Sequence, residues 1–148
     1  MADHATERID VAAPPQRCFE VASDIERYPD WAADIKEVSV EERDGEGRPT
    51  LVTFRAAAYG RSTSYTLAYD YSDAPRVLAW KLTKGDITTK LDGSYTFEAA
   101  QGGAATTVNY DLEVELRVPI PGFVKMRAQA RIMSTALRDL KSRVESSA

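Results

Sequence analysis

The chain has 148 residues, 43% of them hydrophobic and 28% charged, with a formal net charge of −4. That is one ordinary globular domain, residues 1–148, with enough apolar material for a core, and its negative balance argues against nucleic acid, whose phosphates call for a basic surface. A single histidine, His4, and a single cysteine, Cys18, exclude a zinc site of the usual His/Cys kind, an internal disulfide, and a Ser-His-Asp or Cys-His nucleophile.

No run approaches the roughly 18 apolar residues of a membrane-spanning helix, and "MADHATERID" lacks the apolar segment of a signal peptide. A soluble, cytoplasmic protein without metal or cofactor is expected. The glycine pairs in "DGEG" and "QGG" are turn signals, since neither stands between a strand and a helix as a phosphate-binding loop would. His4 falls in what reads as a frayed tail.

A first strand is expected over Thr6–Val11. Pro14 and Pro15 then mark a helix start, and Cys18, Val21, Ala22 and Ile25 recur at helical spacing, which makes Cys18 a core residue rather than a nucleophile. A second short helical piece carries "DIERYPDW", Asp24 to Trp31. Two large aromatics in a connection need either a core to pack on or a ligand to cover. Pro29 fixes its own backbone and should hold Tyr28 extended.

From Ile35 the hydrophobic period changes to two. Val38 and Val40 alternate with charge, then Val52, Phe54, Ala56 and Ala58, then Tyr65, Leu67, Tyr69 and Tyr71. Leu78, Trp80 and Leu82 follow, then Leu91, Tyr95 and Phe97, then Val108, Tyr110, Leu112, Val114, Leu116 and Val118. The connections "RDGEGRP", "YG" and "SDAP" are short enough for antiparallel neighbours, so the pattern is a meander with one wet and one dry face.

After "PIPGF", a long helix is expected from about Gly122 to Glu145, roughly 36 Å at about 1.5 Å per residue. Its apolar stripe is Met126, Ala130, Met133, Leu137, Leu140 and Val144. Arg127, Arg131, Arg138 and Lys141 lie roughly opposite. Solvation accounts for that cationic stripe more simply than docking on an anionic membrane, although transient membrane contact stays open.

The "AAPPQRCFEVASDIERYPDW" start, the "LAWKL" and "LDGSYTFE" centre, and the "TTVNYDLEVELRVPIPGF" and "ALRDLKSRVE" end resemble the START-like (SRPBCC) superfamily, and within it the polyketide cyclase/dehydrase and coenzyme Q-binding-protein branch common in actinobacteria. The resemblance spans nearly the whole chain. It implies an α+β helix-grip fold: a curved antiparallel sheet of about six or seven strands around a long C-terminal helix, with two short helices near the N-terminus and a cavity between sheet and helix. Small Ala56 and Ala58 beside large inward aromatics agree with such a cavity.

The expected cavity residues are Phe54, Ala56, Tyr65, Tyr69, Trp80, Tyr95 and Tyr110 from the sheet, Met126 and Met133 from the long helix, and Phe123, Tyr28 and Trp31 at its mouth. Filling a core would also account for each of them. Arg55, Asp70, Asp92 and Asp111 should face outward, which leaves no acid or base placed for a cyclase. The expectation is therefore an apolar-ligand carrier or sensor for a lipid, polyketide or isoprenoid quinone. Alternatives are a polyketide aromatase/cyclase-type enzyme and a protein-interaction module.

Overall fold

The computed structural model describes residues 3–58, 61–117 and 119–146. Seven strands, β1 (Asp3–Val11), β2 (Ile35–Arg43), β3 (Pro49–Ala58), β4 (Arg61–Asp70), β5 (Val77–Gly85), β6 (Thr88–Ala100) and β7 (Ala105–Leu116), form one sheet in the order β1-β7-β6-β5-β4-β3-β2. Every pairing is antiparallel. Helix α1 (Pro15–Ser23), a 3-10 turn (Ile25–Arg27) and the single-turn helix α2 (Tyr28–Trp31) connect β1 to β2, and α3 (Gly122–Ser146) closes the chain. This is the helix-grip fold. The "YG" turn and Val118 lie outside the described residues, as does the side chain of Ala58.

The sheet bends because the ladder is interrupted where residues leave room for it. Register shifts fall near the start and end of β2 and between Thr66 and Leu67 of β4, and such bulges turn a strand and increase its twist. Gly93, in the interior of β6, pairs with Trp80 of β5. A Cβ at Gly93 would lie 2.8 Å from the Trp80 ring and 2.5 Å from the Asp111 carbonyl oxygen, so only glycine lets the indole lie against the strand.

The long helix grips one side of this curve only. It runs along β1 and touches β7 and α1, while α2 sits by β2 at the opposite edge of the sheet. Between these flanks α1 covers one end of β5 and β6, and the rest of the concave face of the central strands is left without a helix packed directly upon it. At its covered end α1 completes a solid core: Cys18, Val21, Ala22 and Ile25 are buried, and Phe19 meets Phe97 edge-on at 6.1 Å. Burial raises the pKa of the Cys18 thiol, partly offset by the Thr106 hydroxyl, so the thiol stays protonated and unreactive.

Three local expectations are corrected. Strand β1 begins at Asp3, pairing with β7 along its length, so His4 is no part of a frayed tail; its Nε2 lies 3.1 Å from Asp111 Oδ1 on the outer face. Tyr28 is helical, with φ −52° and ψ −40°, because Pro29 sits in the first turn of α2, where its missing N–H is tolerated. The buried stripe of α3 starts Lys125, Gln129, Met133 rather than Met126, Ala130, Met133. Gln129 can be buried because its Nε2 donates to the Leu112 carbonyl at 3.1 Å.

Candidate functional site

The uncovered concave face encloses a cavity of about 140 Å³. Strand alternation brings Phe54, Ala56, Tyr65, Tyr69, Trp80, Tyr95 and Tyr110 to its wall, and α2 adds Tyr28 and Trp31 at its edge. The rings form a continuous path. Trp31 meets Tyr28 at 5.1 Å, Tyr28 stacks on Phe54 at 6.2 Å, and Phe54 reaches Tyr65 at 5.4 Å and Tyr69 at 6.5 Å. Tyr69 then meets Trp80 at 6.0 Å, and Trp80 meets Tyr95 and Tyr110 at 5.3 and 5.9 Å. Such offset and edge contacts are the preferred aromatic geometries.

Three expected wall residues are elsewhere. Met133 is fully buried in the core, while its neighbour Ile132 faces the cavity. Phe123 and Met126 are 70% and 63% exposed, because the first turns of α3 turn Lys125 and Gln129 toward the protein instead. Met126 lies about two turns before Met133, but at this end of the helix the buried row starts one position earlier, at Lys125.

Several wall residues carry no periodic signal that marks them in advance. Gln129, Ile132 and Ala136 come from α3, Thr63 and Thr88 from the sheet, and Asp34 and Asp139 from its edge. Gln129 was detectable as the polar residue four before Met133. Asp139 is held as a clasp: its Oδ2 accepts the Ala33 backbone N–H at 3.0 Å, tying α3 to the segment after α2. Tyr28 donates its hydroxyl to the Ala22 carbonyl, tying α2 to α1.

The electrostatics are those of a dry site. The pKa values of Tyr28, Tyr65, Tyr69 and Tyr95 are all raised, in each case first by burial, with Asp34 adding to the effect on Tyr65 and a Tyr110 hydrogen bond opposing it on Tyr95. These phenols are neutral at ordinary pH. Among the described residues no lysine, arginine or histidine lines the cavity, and Asp34 and Asp139 are its carboxylates. Asp111 bonds to His4 and Thr6, and Arg55 pairs with Glu37, both on the wet side of the sheet. Among the described residues no group of three His, Cys, Asp or Glu is placed to hold a metal ion.

Residues 2–145 match the family model described as polyketide cyclase / dehydrase and lipid transport. The chain belongs to this family. Among solved structures, a START superfamily protein from Mycobacterium smegmatis is 26% identical with a TM-score of 0.90, covering 98% of this chain and 99% of that one. Zhui aromatase/cyclase from Streptomyces sp. R1128 is 18% identical with a TM-score of 0.84, covering 98% and 94%. A protein from Thermus thermophilus is 21% identical with a TM-score of 0.81, covering 99% of both chains. No curated protein matches the sequence significantly. Membership supports either hydrophobic-ligand binding or cyclase-like chemistry, and no described helix is long and apolar enough to cross a membrane.

Proposed function

We propose that this protein binds a hydrophobic small molecule of the lipid, polyketide or isoprenoid-quinone kind in the sheet-helix cavity and does not transform it. The observation that carries this is the lining: a mostly aromatic and aliphatic wall with raised-pKa phenols, a few neutral polar groups such as Thr63, Thr88 and Gln129, two edge carboxylates and, among the described residues, no basic side chain. Pockets of this composition hold apolar ligands and orient them with a few polar groups. Proton transfer would need an acid or base with a pKa near the working pH, and phenols pushed upward by burial cannot serve as bases there.

An enclosed volume of about 140 Å³ suits a single ring, since about 150 Å³ holds benzene. A larger ligand requires the lip to open. Helix α2 is one turn long with no buried residue, and it is held by the Tyr28 hydroxyl and, just beyond, by the Asp139 clasp, so it is the element that can move at least expense. Cytoplasmic residence fits this role.

The test is native mass spectrometry of protein purified without organic solvent. A retained apolar molecule, released unchanged after incubation, is the expected result; conversion of an added polyketide mimic would favour the cyclase alternative. In that alternative the base falls to Asp34, the carboxylate facing Tyr65, and Asp34→Asn would abolish turnover while leaving binding intact.

A further inference from the structure

The tyrosines divide by what their hydroxyls meet. Tyr28 donates to the Ala22 carbonyl, Tyr71 donates to the Pro49 carbonyl at 2.6 Å, and Tyr95 and Tyr110 hydrogen-bond each other. Tyr65 and Tyr69 line the cavity, yet neither hydroxyl has a protein hydrogen-bond partner among the described residues. Both residues are half-buried, so their hydroxyls open on the cavity, where water or a ligand must satisfy them. Thr88, also on the cavity wall and only 4% exposed, is the one buried side chain among the described residues whose polar atom lacks a partner.

Tyr65 and Thr88 are neighbours, and Tyr69 lies further along β4, where it pairs with Trp80. Tyr65 pairs with Gly85, and the Thr88 hydroxyl occupies the space a Cβ at Gly85 would need, 2.7 Å from that position. With no partner holding it, the Thr88 hydroxyl can move by one χ1 rotation of about 120° to the position its methyl holds, the methyl taking that of the hydrogen. The Thr63 hydroxyl, by contrast, is already committed to Asp86 at 2.5 Å.

We infer that the cavity selects an uncharged, oxygen-bearing apolar molecule, with a ketone- or phenol-type oxygen held by the neighbouring Tyr65 and Thr88 or, further along β4, by Tyr69, and that it rejects carboxylates and other anions. This rests on the cavity being a ligand site, as proposed above. Hydroxyls can donate to a carbonyl oxygen or accept from a phenol, so the ligand completes bonds the protein leaves open. An anion finds no cation among the described wall residues, meets Asp34 and Asp139 at the edge, and has no compensation for losing its hydration.

The probes are indane, indanone and indane carboxylate, nearly equal in size and differing in one oxygen-bearing group, titrated by calorimetry at neutral pH. Wild-type protein should bind indanone roughly three- to tenfold more tightly than indane, the worth of a net hydrogen bond, and the carboxylate at least about tenfold more weakly than indanone. In Tyr65→Phe, Tyr69→Phe and Thr88→Val the affinity for indane should persist while the preference for indanone shrinks in at least one variant; Thr88→Ser should keep it. Tyr71→Phe, whose hydroxyl lies outside the cavity, should bind all three as wild type does. Equal binding of indane and indanone throughout, or carboxylate binding as tight as indanone, overturns the inference and leaves the cavity site standing. Failure of all three probes to bind overturns both.

Discussion

The two halves of α3 meet the same sheet in different ways. From Met133 to Val144 the helix sets Met133, Leu137, Leu140 and Val144 fully into the core, next to α1. From Gly122 to Ile132 it leaves Phe123 and Met126 in solvent and turns Gln129 and Ile132 toward the cavity. The second half anchors the helix in the core while Thr135, Ala136 and Asp139 on it still border the cavity; the first half buries only Lys125 and Gln129 and leaves apolar side chains in solvent. Because interiors elsewhere are close-packed, the unfilled cavity is the part of the molecule that needs explaining by function.

The largest effect separating the halves should appear at high pH. Five tyrosines, Tyr28, Tyr65, Tyr69, Tyr71 and Tyr95, have raised pKa values, burial being the first cause for each, with Tyr71 pushed up to about 12. A folded-state pKa above the unfolded value of about 10 means the folded state keeps its proton while the unfolded chain loses it. Stability is therefore fully present below pH of about 10 and falls as pH rises above it, by up to about 1.4 kcal/mol per pH unit for each tyrosine. Four of the five line the cavity, so phenolate absorbance and unfolding should rise together, and Tyr65→Phe with Tyr69→Phe should flatten the slope. Phenolate that forms in the folded protein near pH of about 10 and disappears in Tyr65→Phe or Tyr69→Phe would mean the cavity is wet.

Next in size is a pair of truncations on one helix. Leu140→Ala should cost about 2 to 5 kcal/mol in denaturant unfolding, the range for a packed core leucine. Ile132→Ala, on a wall already facing empty space, should cost clearly less. Equal losses would erase the distinction between the halves. A smaller effect is expected from Ala56→Trp. Overpacking a tight core costs about 1 to 3 kcal/mol, but Ala56 borders the cavity, so the loss should fall below that range while binding of an apolar dye disappears. A strongly destabilised variant that still binds the dye would contradict the cavity.

The order of elements was legible in the sequence because the hydrophobic period changes from helical to alternating at Ile35 and back after "PIPGF". Alternation also placed Phe54, Ala56, Tyr65, Tyr69, Trp80, Tyr95 and Tyr110 on the concave face. Helical periodicity was less informative for Phe123 and Met126. It fixes the spacing of buried positions, not which neighbouring row is rotated toward the protein, and at the first turns of α3 that row is Lys125 and Gln129. Counting only apolar positions also passed over Gln129, whose polar end is satisfied by a β7 carbonyl, and Thr88, whose significance lies in the absence of a partner and so has no trace in a one-dimensional pattern.

The central claim is that the aromatic turn "DIERYPDW" is the edge of a ligand cavity and not merely a plug. Trp31 sits at that edge against Tyr28, which stacks on Phe54 of the wall, and the sequence has only one other tryptophan, Trp80. In Trp80→Phe the emission of Trp31 can be read alone while apolar ketones and aromatic polyketides are titrated. The account predicts a saturable change in Trp31 intensity or wavelength, with an affinity that matches calorimetry. Binding demonstrated by calorimetry with no change in Trp31 emission would contradict it, showing that the ligand enters elsewhere and that the turn only closes the fold.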